Sequence, residues 1–189
     1  MQPACQDLPV VPGTTYRDTF RLMQPEFVYR PIASIAGAPA QLVVPAHGLV
    51  GDWPIWVRRV MGMQGINREP QRELPWPSRR IDADTLEINS LSADGERPQG
   101  GQLVYQPPVD LAGASVVMTF TGQQGDDLVL TLGAGLVVAA PGTITRELTP
   151  EQTALLVGEW RYTLDVQYAD GTVTRYAQGG QRRGGCCHG

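Results

Sequence analysis

Glycine and proline occur 22 and 16 times in this chain of 189 residues, which interrupts it too often for long helices and points to an all-β fold. Between the interruptions the apolar residues recur at every second position, the period of a strand with one buried face. Trp160, Tyr162, Leu164 and Val166 alternate with Arg161, Thr163, Asp165 and Gln167. The Asp170-Gly171 turn and then Val173 and Arg175 follow, a terminal β-hairpin with a buried aromatic face. Val116, Met118 and Phe120 alternate with Val117, Thr119 and Thr121, and an Asp126-Asp127 turn leads to Leu128, Leu130 and Leu132. Thr14–Leu22 puts Tyr16, Asp18 and Phe20 on one face and Thr15, Arg17, Thr19 and Arg21 on the other, as in a half-buried edge strand. One short helix is expected over Thr149–Val157. Thr149 caps it, Pro150 suits its first position, Gln152 completes a capping box and Gly158 stops it.

Apolar residues make up 42% and charged residues 18% of the chain, the balance of a folded protein with a core. The net charge of -4 is spread along the sequence. Duplex nucleic acid is not the expected partner, because phosphate binding needs a concentrated basic face. All basic residues are arginine, which is read as base composition of the gene. The most apolar stretch, Leu128 to Ile144, is broken by Thr131, Pro141 and three glycines, so no membrane insertion is expected. The start, MQPACQDLP, has neither a basic cluster nor an apolar run, so synthesis in a cytoplasm without a secretory signal is the expectation. Cys5, Cys186 and Cys187 sit at the extremities, which argues against an internal disulfide framework.

The middle of the chain reads as a second β-module set within the first. Gln41 and Val43 lead to Pro45, and His47-Gly48 turns into Trp53, Ile55 and Val57, alternating with Pro54, Trp56 and Arg58. Gly62 and Gly65 flank Met63 in a tight loop that presents the methionine inward. Arg79-Arg80 and Ile81 then lead to Leu86 and Ile88. The boundaries read from the pattern are 1–34 and 107–180 for an interrupted sandwich, 35–106 for the insertion, and 181–189 for a glycine-rich tail.

Two sets of motifs carry a resemblance. Ala46-His47-Gly48-Leu49, then Gly62-Met63 before Ile66-Asn67, then Ile81-Asp82-Ala83-Asp84-Thr85-Leu86 resembles a small β-module recurrent in phage tail proteins. Asp110-Leu111-Ala112-Gly113-Ala114 together with Thr153-Ala154-Leu155-Leu156-Val157-Gly158-Glu159-Trp160-Arg161-Tyr162 resembles the Ig-like N-terminal domain of phage baseplate and tail-fibre proteins, although Ala112 stands where threonine is usual. The resemblance covers about residues 14–180. It implies an Ig-like sandwich interrupted by a small barrel-like module, in a structural virion component of a tailed bacteriophage that docks on other proteins in the tail tip or baseplate. It further implies other virion tail proteins as partners, several copies in a symmetric assembly, and a place in the tail of the particle. A host-recognition module binding a receptor or glycan, and a capsid or neck accessory protein, are the alternatives.

No enzyme is expected. The chain has no G-x-S-x-G elbow, phosphate-binding glycine loop or H-E-x-x-H helix. Asp82, Asp84 and Glu87 form an acidic set, but an exposed turn is the simpler reading. His47, beside a turn glycine and without a second ligand at a recognisable spacing, is expected to bond a nearby carbonyl. No cofactor is expected. The one candidate metal site is the tail, where Cys186, Cys187 and His188 follow Gly184-Gly185. A disordered or packing tail, an inter-subunit disulfide, or a metal or iron–sulfur site shared between chains all remain open there. Candidate partner contacts are Arg182 and Arg183, beside that tail, and Trp53, Trp56 and Trp76, since interface cores favour tryptophan.

Overall fold

The computed structural model describes residues 3–5, 7–122 and 127–181. The chain divides into two units, 1–22 with 108–189, and 23–107, so the second is an insertion in the first. In chain order the outer unit contributes β1 (Ala4–Cys5) and β2 (Tyr16–Arg21). The insertion follows with β3 (Val28–Pro31), β4 (Ser34–Ala36), β5 (Ala40–Val43), β6 (Trp53–Arg58), β7 (Trp76–Arg80), β8 (Thr85–Ile88) and β9 (Gln102–Tyr105). The outer unit resumes with β10 (Ser115–Gly122), β11 (Leu128–Leu132), β12 (Gly135–Ala140), β13 (Thr143–Leu148), the helix α1 (Pro150–Ala154), β14 (Trp160–Gln167) and β15 (Val173–Gln181). The all-β expectation is met.

In the outer unit the strand order is β1-β15-β14-β10-β11-β12-β13-β2. The sheet curls on itself, because inward residues of β2 and β13 meet those of β10 and β14. Arg146 of β13 bonds Met118 Sδ of β10 and lies near the rings of Tyr16, Phe20 and Tyr162. The expected alternation is present: Val116, Met118, Phe120, Trp160, Tyr162, Leu164 and Val166 are all buried. Phe120 packs on Trp160 and Tyr162 with ring centroids 5.9 Å from each. Burial pushes the Tyr162 hydroxyl up to about 12, because the phenolate would lose its water. On β11 the alternation stops early. Leu130 is buried but Leu132 is exposed, since the strand ends in a tight Gly133-Ala134 turn. Of the expected Asp126-Asp127 turn, Asp126 lies outside the described residues.

The helix is shorter than its sequence window but starts where its cap dictates. Thr149 Oγ1 accepts the Gln152 amide and the Gln152 side chain accepts the Thr149 amide, with Pro150 at the first position. Buried Thr153 donates its hydroxyl to the carbonyls of Thr14 and Pro150. That side chain, more than length, holds so short a helix in place.

The inserted unit orders its strands β3-β9-β6-β7-β8-β5-β4 around Leu42, Ile55, Val57, Ile66, Leu86, Ile88 and Leu103, each without measurable exposure. Its first strand lies upstream of the boundary that the sequence pattern marks at residue 35. β3 pairs with β9 from Val28↔Tyr105 to Pro31↔Gln102, so residues 23–34 belong to the insertion and not to the sandwich. Local pattern could not assign them, because β3 is mostly exposed and its partner lies more than seventy positions away. At the boundary Leu22 O accepts the Val109 amide, at 2.9 Å, within the outer unit. Within the insertion Pro107 O accepts the Gln24 amide, at 2.8 Å.

Cys5, at one extremity of the chain, is disulfide-bonded. The other cysteines of the sequence, Cys186 and Cys187, lie outside the described residues.

Candidate functional site

A concavity of the inserted unit has a volume of about 400 Å³ and is lined by Phe27, Tyr29, Arg58, Glu69, Pro70, Gln71 and Arg72. Three segments build it: the start of β3, the end of β6, and the loop that leads from the Ile66 turn to β7. Phe27 meets Trp56 edge-on, ring centroids 5.7 Å apart at 73°, a favoured arrangement of ring quadrupoles. Tyr29 stands two residues further along β3 and is 48% exposed.

The loop is held by its own side chains. Arg68 donates to the carbonyls of Leu74, at 2.8 Å, and Pro75, at 3.2 Å, while its guanidinium lies 3.2 Å from the centroid of the Trp76 ring. Glu73 accepts the Glu69 amide on its carboxylate, at 2.7 Å, and its own amide donates to Glu69 O, at 3.0 Å. Trp56 Nε1 donates to Glu73 O, at 2.8 Å. Arg58 pairs with Glu69, at 2.9 Å. At the apex Gln71 has φ +70, a left-handed conformation that costs a residue with a Cβ about 1 kcal/mol or more. The bonds across the base of the loop impose it.

These bonds leave Tyr29 Oη, the Gln71 amide group and the Arg72 guanidinium without a hydrogen-bond or ion-pair partner among the described residues. The result is a braced loop and strand start whose exposed side chains carry one phenol, one amide and one unpaired cation beside the Phe27 ring. Such a group of side chains suits binding, since none of these polar groups has to break a bond within the protein to meet a ligand.

No protein-family model, curated protein or solved structure matches this chain.

The tryptophans expected as partner anchors are instead interior. Trp53, Trp56 and Trp76 are 4%, 7% and 9% exposed, and each indole N–H is taken by a carbonyl, of Gln106, Glu73 and Ile66 respectively. In a unit of this size the large apolar area of the three is needed for the core. Arg182, Arg183, Cys186, Cys187 and His188 lie outside the described residues. Among the described residues no group of three or more His, Cys, Asp or Glu is arranged to hold a metal ion, and no helix is long and apolar enough to cross a membrane.

His47 has the carbonyl partner that its sequence position suggests. Its Nδ1 accepts the Leu49 amide, at 3.0 Å, so Nε2 carries the proton and donates to Asp82 O, at 3.2 Å. Tyr105 donates its hydroxyl to the His47 carbonyl. The ring is fully buried, and burial above all holds its pKa below the ordinary value, with Arg80 adding to the effect against Asp82 and Asp84. Asp82 and Asp84 are turn residues. Asp82 Oδ1 accepts the Asp84 amide, and Asp84 Oδ1 accepts the amide of Ala46, itself at φ +51. Hydrogen bonding to the Asp84 amide holds the Asp82 carboxyl below its usual range, opposite to what a general acid needs.

Sequence reasoning missed Phe27, Tyr29, Gln71 and Arg72. The visible signal was an aromatic pair at strand spacing ahead of Pro31, and a polar Glu-Pro-Gln-Arg-Glu loop. Neither is selective without the fold that sets them side by side.

Proposed function

We propose that the chain is a structural component of a tailed-phage particle that works by docking on other proteins of the tail tip or baseplate. Its motifs resemble those of tail and baseplate modules, and one structural observation supports a docking role. On the outer sheet the adjacent strands β11 and β12 leave Val129 and Val137 exposed on one face, by 50% and 60%, and Leu132 and Val138 on the other, by 36% and 40%. Exposed apolar side chains on a folded sheet are candidate contacts with other proteins. The flanking strands add threonine, with Thr119 opposite Val129 and Thr145 opposite Val137.

The test is to localise the chain in particles. Cells that carry the gene are induced, tailed particles are purified, and antibody raised against the chain is imaged by electron microscopy. Label at the tail tip or baseplate is the expected result. Label on the head, or particles that lack the chain, contradicts the proposal.

A further inference from the structure

We infer that the concavity around Tyr29 and Arg72 is a binding site for a carboxylate-bearing saccharide. The inference stands on its own geometry and does not depend on what covers the β11–β12 face. A pyranose ring offers an apolar C–H face, a girdle of hydroxyls and, in an acidic sugar, one carboxylate; the site offers a counterpart to each. Phe27 and the exposed Tyr29 ring supply the apolar wall, the Tyr29 hydroxyl and the Gln71 amide group meet hydroxyls, and the Arg72 fork matches a carboxylate with two parallel N–H bonds. Glu69, steadied by Arg58, accepts from a further hydroxyl. The volume of about 400 Å³ is at the small end of ligand pockets, enough for one or two sugar rings.

Charge chooses carboxylate over phosphate. Glu69 is already matched by Arg58, and Glu73 stands at the base of the same loop, its carboxylate on the Glu69 amide. One free guanidinium beside such a carboxylate matches a single negative charge better than the double charge of a phosphate.

The test uses the full chain, isotope-labelled, titrated with methyl glucuronide and with the neutral methyl glucoside while amide shifts are followed. Expected are saturable shifts in 69–73 with the glucuronide and affinity at least about tenfold weaker for the glucoside, since a charge-assisted bidentate contact separates the two. Arg72→Gln is expected to abolish the preference, and Tyr29→Ala to weaken both sugars. Both residues are exposed and the loop's bracing bonds run through Arg68, Glu69 and Glu73, so the amide spectrum of each variant verifies that the fold is kept. The proposal is overturned by a glucuronide that shifts nothing, by equal affinity for the two sugars, or by a preference that survives Arg72→Gln. It is overturned equally if inorganic phosphate displaces the glucuronide at comparable concentration, which would mark a simple anion site.

Discussion

Arg146 is the costliest side chain in the outer unit to leave without its partner. It is 2% exposed and meets Asp18 through two parallel bonds, Nε to Oδ1 and Nη2 to Oδ2, across 128 positions of sequence. Three aromatic rings surround it. Removing the carboxylate leaves a buried cation with no counter-charge, and Asp18→Ala is expected to lower unfolding free energy by about 3 to 5 kcal/mol. Urea denaturation checks this; a loss under about 1 kcal/mol, the range of a surface pair, would show that the pair is solvated. His47 supports a second expectation. Its folded pKa lies below the usual value of about 6.5, so the unfolded chain takes up a proton that the folded chain refuses. Stability is then fully present above about pH 6.5 and is lost as pH falls below it, a window above that of the carboxylates. With His188 replaced to leave one imidazole, proton resonances should give a midpoint below 6.5, and a value at or above it contradicts this account. The inward face of β2, Tyr16, Asp18 and Phe20, could be read from alternation alone. That Asp18 would find Arg146 could not, because period two assigns a side chain to a face and says nothing of the strand opposite.

The closing hairpin was the most legible element. Trp160 is 2% exposed, next to Phe120, and Trp160→Ala is expected to cost about 3 to 5 kcal/mol through lost apolar burial and the cavity left behind. An unchanged denaturation midpoint would place this face outside the core. The cap of α1 carries a smaller share, since Thr149→Ala removes one hydrogen bond at an exposed end and should cost about 1 kcal/mol. Both elements were readable because every determinant lies within a few residues: side-chain alternation in one, a Thr-Pro-x-Gln box in the other. β3 was not, since its exposed side chains give no face and its place comes from pairing with β9. The binding concavity failed for the same reason. Phe27 and Arg72 meet only because β3 runs beside β9, β9 beside β6, and the loop after β6 returns to Phe27.

At the scale of the whole molecule, each unit has its own buried cluster and closes its own ends, with Leu22 against Val109 in one and Gln24 against Pro107 in the other. The segment 23–107 expressed alone is therefore expected to unfold cooperatively. The outer unit, with Leu22 joined to Pro108 through a short glycine linker, is expected to keep its own transition. A calorimetric trace without a peak for either piece would show that one unit is the folding template of the other. The paired ends also decide how tension travels. A pull applied within the outer unit, at Tyr16 and Val173, enters the outer sheet first. At the crossing it is carried across by the Leu22–Val109 bond and not through the inserted strands. The insertion thus rides as unloaded cargo on a load-bearing frame, and feels the pull only after the frame has given way.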